Sequence, residues 1–345
     1  MQIPEIVFER SAGENLLLTI AIPTFNRREL LLGLLKQLEV LLAELRFSVH
    51  VEILISDNAS TDDTSSALAE YAEGNVLRNI RIQRHEKNVG TDLNFLSLIV
   101  AARGAYFWLM SDDDRFVADG FQKLIGIIAS ANPPEFLLIN QLTMSGNGKR
   151  YFDWRDESVE NLDQFVGDVY SYLTFVGIIV FRRRDIDFRV YEKYSGTLLL
   201  ISYVFIDSVL ASSAPGLRMS DPAISYKPDN TGGYALFGVF CDEFGKVLKY
   251  ARSRGASRKT IAAVANMHLR RFLMGAILLY RKNLYLKKEN FKLEPRWRVL
   301  RRLFQFSIAY PSSYGRLFTS VGLLYMPYRL ISVLLPALRN FGRWI

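Results

Sequence analysis

Three consecutive carboxylates, Asp112-Asp113-Asp114, follow the apolar run YFWLM (Tyr106–Met110) and Ser111. Like charges this close repel, and each raises its neighbours' pKa. A bound divalent cation removes that cost. Asp oxygens suit Mg²⁺ or Mn²⁺, which commonly take one or two carboxylates together with substrate phosphates. In an extended segment Asp112 and Asp114 fall on the same side, so the expectation is that this pair approaches one cation. Asp113 is kept as a third candidate. Another carboxylate, Asp57, ends the apolar run VHVEILIS (Val49–Ser56). There it could accept an N–H from a nucleobase or the hydroxyls of a ribose. Pro23-Thr24-Phe25-Asn26-Arg27 and Asn88-Val89-Gly90 close two further apolar runs. Each cluster alone is also ordinary turn or capping chemistry. Their shared position carries the argument.

That position is set by alternating elements. LLLTIAI (Leu16–Ile22, ended by Pro23), VHVEILIS, IRIQRH (Ile80–His85) and YFWLM read as short buried strands. Between them lie the helix patterns Arg28–Arg46, SSALAEYAE and Thr91–Arg103, with Ser60 and Asp63 at the spacing of a helix N-cap. The alternation predicts a parallel sheet with helices on both faces. In such sheets ligands bind outside the carboxyl ends of the strands. Thr24–Arg27, Asp57–Thr61, Asn88–Gly90 and Asp112–Asp114 all fall at that rim. Further along, Phe121–Ala131 reads as a helix, Pro134–Leu142 as a strand and Ser145–Arg150 as a hairpin turn. Phe175–Arg183 reads as a strand, Ser202–Ser213 as a helix, and Tyr226–Tyr234 as a turn-rich loop. From about Cys241 the pattern is helical to the end, with breaks near Gly255, Pro295, Pro311 and Pro327. Two regions are expected, an α/β domain over 1–240 and a helical basic region over 241–345.

Composition excludes several classes. The chain has 345 residues, 50% hydrophobic and 23% charged, which is unlike a disordered or collagen-like chain. A lone cysteine, Cys241, closes no internal disulfide, and three scattered histidines form no His-x-x-x-His pair. Neither G-x-G-x-x-G nor a Walker loop follows the first strand, so a dinucleotide-dependent dehydrogenase and a P-loop kinase find no support. Residues 1–15 lack a basic start followed by an apolar run, so no secretory signal is expected.

In order and spacing, IAIPTFNR, ILISDNASTDDT, NVGTDLNF and ARGAYFWLMSDDD resemble the nucleotide-sugar glycosyltransferases of family 2, with the GT-A fold. The likeness is specific through about residue 125, fades over 126–240 and is absent beyond. The Ser-Asp-Asp-Asp form is similar to that of abequosyltransferases. The resemblance implies an inverting transferase that uses a nucleoside-diphosphate sugar with Mn²⁺ or Mg²⁺. It implies that Pro23, Thr24, Asn26, Arg27 and Asn88 line the nucleotide pocket and that Asp57 reads the base. It places Asp112 and Asp113 on the ribose and metal–diphosphate, with Asp112, Asp113 and Asp114 as metal candidates. Family members carry a catalytic base at a later helix start. Asp207 in YVFIDSVL is the candidate here, although Ile206 stands where a Glu is usual, and Asp185 and Asp187 are alternatives.

Charge is divided along the chain. Residues 246–345 hold 21 Lys and Arg against Glu289 and Glu294, while the rest holds 22 basic and 33 acidic residues. The basic region interleaves Arg270-Arg271, Arg281-Lys282, Lys287-Lys288 and Arg301-Arg302 with FLMGAILLY, FQFSIAY and LFTSVGLLYMPY. Basic helices with an apolar face lie in the headgroup layer of anionic membranes. Leu317–Leu338, broken by Pro327, Arg329 and Pro336, suits the interface better than a span. No nucleic-acid module is evident. With the resemblance, this implies a glycan acceptor on polyprenyl diphosphate at the inner face of a bacterial plasma membrane, in O-antigen-like synthesis. A sugar-phosphate nucleotidyltransferase and a non-catalytic nucleotide-sugar or membrane-binding module are the competing readings.

Overall fold

The computed structural model describes residues 4–10, 15–44, 50–74, 77, 79–143, 149–184, 186–226, 234–286 and 292–310. Contacts divide the chain into two units, 1–161 with 174–227, and 162–173 with 228–345.

The first unit is built on one mixed sheet. Its centre holds β4 (Ile80–Arg84), β3 (Val51–Asp57), β2 (Leu18–Thr24) and β5 (Tyr106–Leu109), all parallel. The strand β1 (Glu5–Arg10) adds antiparallel to β4 at one edge. Beyond β5 come β9 (Ile179–Arg182), antiparallel to both neighbours, then β7 (Phe136–Thr143), β10 (Gly216–Tyr226) and β6 (Arg115–Phe116), while β8 (Glu157–Val159) pairs with β10. The helices α1 (Arg28–Glu44), α2 (Thr64–Gly74), α3 (Thr91–Ala101), α4 (Ala118–Ile128) and α6 (Leu200–Leu210) complete the expected α/β architecture. Strands covered on both faces need uninterrupted apolar side chains. Accordingly Leu18, Ile20, Ile22, Ile53, Ile55 and Trp108 are fully buried.

Pro23 does not end β2, because the strand runs on to Thr24, paired with Asp57. A proline lacks the N–H a ladder needs. Ala21, two residues earlier and so on the same side, already gives its carbonyl to Met110 N–H, and the ladder with β5 stops at Leu109. Ser60 is not the cap of α2 either. Its hydroxyl accepts Asn26 N–H, and α2 starts at Thr64, whose N–H goes to the Asp62 carboxylate.

The second unit contains α5 (Leu162–Val169), α7 (Phe244–Ser253), α8 (Arg258–Met267), α9 (Met274–Leu286) and α10 (Arg296–Ala309). Two π-helical segments, Gly238–Glu243 and His268–Leu273, interrupt it. They are joined by His268 Nε2, 2.7 Å from the Phe240 carbonyl oxygen. Gly255, at φ 114°, makes the turn between α7 and α8, where the sequence broke. Arg258–Leu278 is one helical stretch of mean hydropathy 1.2, long and apolar enough to cross a membrane, and half of that window is buried. The Pro311 and Pro327 breaks, the Leu317–Leu338 segment, Lys287-Lys288, most of the hairpin turn at Ser145–Arg150 and the interior of the Tyr226–Tyr234 loop lie outside the described residues.

Candidate active site

The carboxyl ends of β2, β3, β4 and β5 bring the polar clusters to one rim, as ladder and loop bonds show. After β2, Thr24 Oγ1 donates to Asp112 Oδ2 at 2.9 Å. Arg27 Nη1 donates to Asp112 Oδ1 at 2.8 Å and to Asp113 Oδ2 at 3.2 Å. The loops after β2 and β3 are clasped by Asn26, whose φ is 53°. Its side-chain oxygen accepts Thr61 N–H at 2.7 Å, and its amide nitrogen donates to Thr61 Oγ1. The loops after β3 and β4 are joined in the same way. Asn58 donates to Asn88 Oδ1 at 3.0 Å and accepts Val89 N–H at 2.9 Å. Asn26 and Asn88 therefore spend side-chain bonds on holding the rim.

The acidic triplet is a tight turn, not an extended segment. Asp114 N–H reaches the Ser111 carbonyl at 3.4 Å. Asp112 and Asp114 therefore do not form the same-side pair that an extended backbone would give. Asp112 and Asp113 converge on Arg27, whereas the Asp114 carboxylate lies toward Gly177, where an added Cβ would come within 3.8 Å of its Oδ2. Arg115 Nη1 ties down the Asp114 carbonyl at 2.7 Å. Gln37 of α1 brackets Phe116 with two 2.9 Å bonds to its N–H and carbonyl. Beneath the turn, Trp108, Phe116 and Phe121 pack edge-on and stacked, with centroids 5.1 to 6.1 Å apart.

Burial pushes the Asp112 carboxyl up, and the Arg27 guanidinium opposes that shift. Burial works against the Arg27 charge in turn, but Asp112 and Asp113 outweigh it and hold its pKa up. The pair is ionic and mutually dependent. Asp57, 1% exposed, uses Oδ1 to accept Ser60 N–H at 2.9 Å. Its Oδ2 has no hydrogen bond and lies 3.5 Å from Arg84 Nε. Sequence reasoning passed over Arg84, yet it is the register partner of Asp57 across β3 and β4. That pairing was the available signal.

Asp92, in the first turn of α3, was also missed. Its buried carboxylate accepts Leu198 N–H at 2.8 Å and Leu200 N–H at 3.3 Å. It holds a turn containing Gly196 (φ 83°) and Leu198 (φ 62°) at the start of α6. Burial pushes this carboxyl up despite the surrounding backbone N–H groups.

Asp207 is not brought to the rim. The start of α6 is at the rim beside Asp92. Beyond its other end, Ser213 hydrogen-bonds Arg184 and Glu135, and Glu135 precedes β7 at the opposite edge of the sheet. Asp207 lies seven residues along α6 from Leu200, about 10 Å down the axis. There its Oδ2 accepts the Tyr191 hydroxyl at 2.8 Å. Asp187 accepts Arg189 N–H and caps the following helical turn. Asp185 lies outside the described residues.

Two clefts of about 410 and 610 Å³ lie elsewhere, one lined by Asp163 and Ser257 and the other by His50 and Arg103. Among the described residues no three His, Cys, Asp or Glu side chains gather as a metal cage. All four carboxylate oxygens of Asp112 and Asp113 accept hydrogen bonds, from Thr24, Arg27 and Ser111, so an ion held by this pair would have to displace Arg27 and complete its shell with substrate oxygens.

The profile of glycosyl transferase family 2 matches residues 19–184, the stretch that supplies this rim. The abequosyltransferase RfbV of Salmonella typhimurium is 36% identical over 104 residues, 30% of each chain. The dolichyl-phosphate beta-glucosyltransferase of Dictyostelium discoideum is 30% identical over 132 residues, 37% of this chain and 40% of that one. The matched segment spans about a third of the length of these curated relatives. The crystal structure of S. aureus TarS 1–349 in complex with UDP-GlcNAc superposes with a TM-score of 0.58 at 16% identity, covering 96% of this chain and 93% of that one. At that identity the likeness speaks for the fold. With the parallel core, the rim loops and the profile match in one segment, residues 19–184 are a glycosyl transferase family 2 domain on a GT-A fold.

Proposed function

We propose that the chain transfers a sugar from a nucleoside-diphosphate donor to a glycan acceptor. The observation that carries this is the convergence of Thr24 and Arg27 from one strand end with Asp112 and Asp113 from the next. It is supported by the relatives, one named for abequosyl and one for glucosyl transfer, and by the TarS complex with UDP-GlcNAc. Asp57 takes the base, through a carboxylate oxygen left without a hydrogen bond. Pro23, Thr24 and Arg27 border the diphosphate, and the Asn26 and Asn88 clasps keep the three loops in register. Asp112 and Asp113 would hold Mn²⁺ or Mg²⁺, which neutralises the departing diphosphate when bound. Asp114 backs the turn. The proton of the acceptor hydroxyl needs a carboxylate within hydrogen-bond reach. Asp207, bonded to Tyr191 away from the rim, is not given that role. The acceptor is a lipid-linked glycan in bacterial surface-polysaccharide synthesis at the cytoplasmic face of the membrane, to which the basic 241–345 region attaches the chain.

A calorimetric panel of UDP-, GDP-, CDP- and dTDP-sugars with Mn²⁺ tests the core of this reading. One nucleotide class should bind in the micromolar range, and Asp112→Ala should weaken it at least tenfold. If no donor binds, or if Asp112→Ala leaves the affinity unchanged, the reading falls.

A further inference from the structure

Helix α10, RWRVLRRLFQFSIA, is amphipathic twice over. Its inner face is formed by Val299, Leu303 and Phe306, which are 0%, 0% and 4% exposed. The opposite face ought to be polar. Instead it presents Trp297, Phe304 and Ile308, which are 57%, 50% and 48% exposed. At about 100° per residue these three fall within an arc of about 40°, in a line about 16 Å long. Arg301 lies at the margin of that arc, and Arg296 and Arg298 flank it about 100° to either side. All three arginines are exposed. The Arg298 guanidinium carbon sits 5.4 Å from the centre of the Trp297 ring. The fourth arginine, Arg302, is turned inward to Asp242 and Glu294. No carboxylate occurs on this helix.

We infer that the Trp297–Phe304–Ile308 face of α10 is a docking surface for an anionic lipid bilayer. It rests on the reading of the C-terminal region as membrane-associating and assigns that contact to one face. The occupant follows from complementarity. Anionic headgroups match three outward arginines in a region with 21 basic and two acidic residues. The boundary below the headgroups takes the tryptophan, phenylalanine and isoleucine side chains. A helix lying in that layer keeps its other face on the protein, as the buried Val299, Leu303 and Phe306 require.

The test uses the full chain with vesicles of 3:1 POPC:POPG and of POPC alone. The wild type should sediment with the anionic vesicles, and its tryptophan emission should shift to the blue. In Trp297→Phe most of that shift should vanish. The pair Phe304→Ser and Ile308→Ser should cut affinity about tenfold or more, since two apolar side chains no longer leave water. Arg298→Gln and Arg301→Gln should each cost about fivefold in low salt and little in high salt. These side chains are outward, so circular dichroism melts should match the wild type. If the Phe304/Ile308 variant binds anionic vesicles like the wild type, or Trp297→Phe keeps the full shift, the face assignment is wrong while the broader reading stands. If the wild type ignores anionic vesicles, both fall. If the variants instead abolish a dimer or binding of single-stranded nucleic acid, with vesicle binding intact, the face belongs to that partner and the inference is overturned.

Discussion

Removing the Arg27 guanidinium tests whether the acidic turn is a cation site in waiting. Arg27 makes bonds of 2.8 and 3.2 Å to Asp112 and Asp113, and Asp112 is 2% exposed. In Arg27→Gln the buried Asp112 carboxylate keeps the Thr24 hydroxyl but loses its counter-charge. A hydrogen bond to a charged group is worth about 1.5–3 kcal/mol. The Arg27 side chain is 29% exposed, so solvent screening reduces the sum of two such bonds. A net loss of about 2 kcal/mol follows, or a melting temperature lower by about 4–8 °C for a unit of this size. In the wild type a metal ion must compete with the guanidinium for the same oxygens. In the variant it does not, and about 2 kcal/mol is a gain in Mn²⁺ affinity of about 30-fold. Differential scanning fluorimetry with Mn²⁺ and no nucleotide reads both effects. Arg27→Gln should melt lower than the wild type without metal and recover most of the difference with it. Adding Asp112→Asn should abolish that recovery. Equal Mn²⁺ shifts in wild type and Arg27→Gln would refute the idea that the arginine stands where a cation acts.

Two further outcomes test the supporting structure. Asp92→Asn keeps the size of the side chain but loses the charge that accepts Leu198 and Leu200 N–H. Those two amides should exchange hydrogen at least about tenfold faster, consistent with about 1–2 kcal/mol lost from their bonds; unchanged protection would mean that Asp92 does not hold this turn. In the second unit, burial lowers the His268 pKa to about 4 from an ordinary 6.5. The unfolded chain then binds a proton that the folded chain refuses, so stability is full above pH 6.5 and falls as pH drops toward 4, by about 3 kcal/mol in all. His268→Gln should flatten that acid slope in urea melts at pH 7 and 4.5, and a slope identical to the wild type would exclude His268 as its source.

Which parts of this molecule were legible beforehand follows from where the information sits. Central strands buried on both faces must be unbroken apolar runs, so β2 to β5 and the polar residues at their ends stand out in the sequence. Edge elements carry no such demand. The strand β1 has an exposed polar face and β10 mixes Arg218, Ser220 and Asp221 with apolar residues, and neither was delimited from the sequence. Asp112–Asp114 misled because side-chain alternation holds only in an extended backbone, and a Ser111–Asp114 turn bond replaces it. Asp207 misled because a helix start and a carboxylate say nothing of how far along the helix the acid lies from the rim. Asp92 was invisible for a different reason. Its partners are backbone N–H groups 106 and 108 residues away, and a backbone donor has no residue type to notice. The outward face of α10 combines both lessons. Its basic pair and aromatic residues were plain, but an aromatic on a helix reads as core until the inner face is known. Only once Val299, Leu303 and Phe306 are seen to fill that inner face do Trp297, Phe304 and Ile308 become side chains that must find another apolar phase.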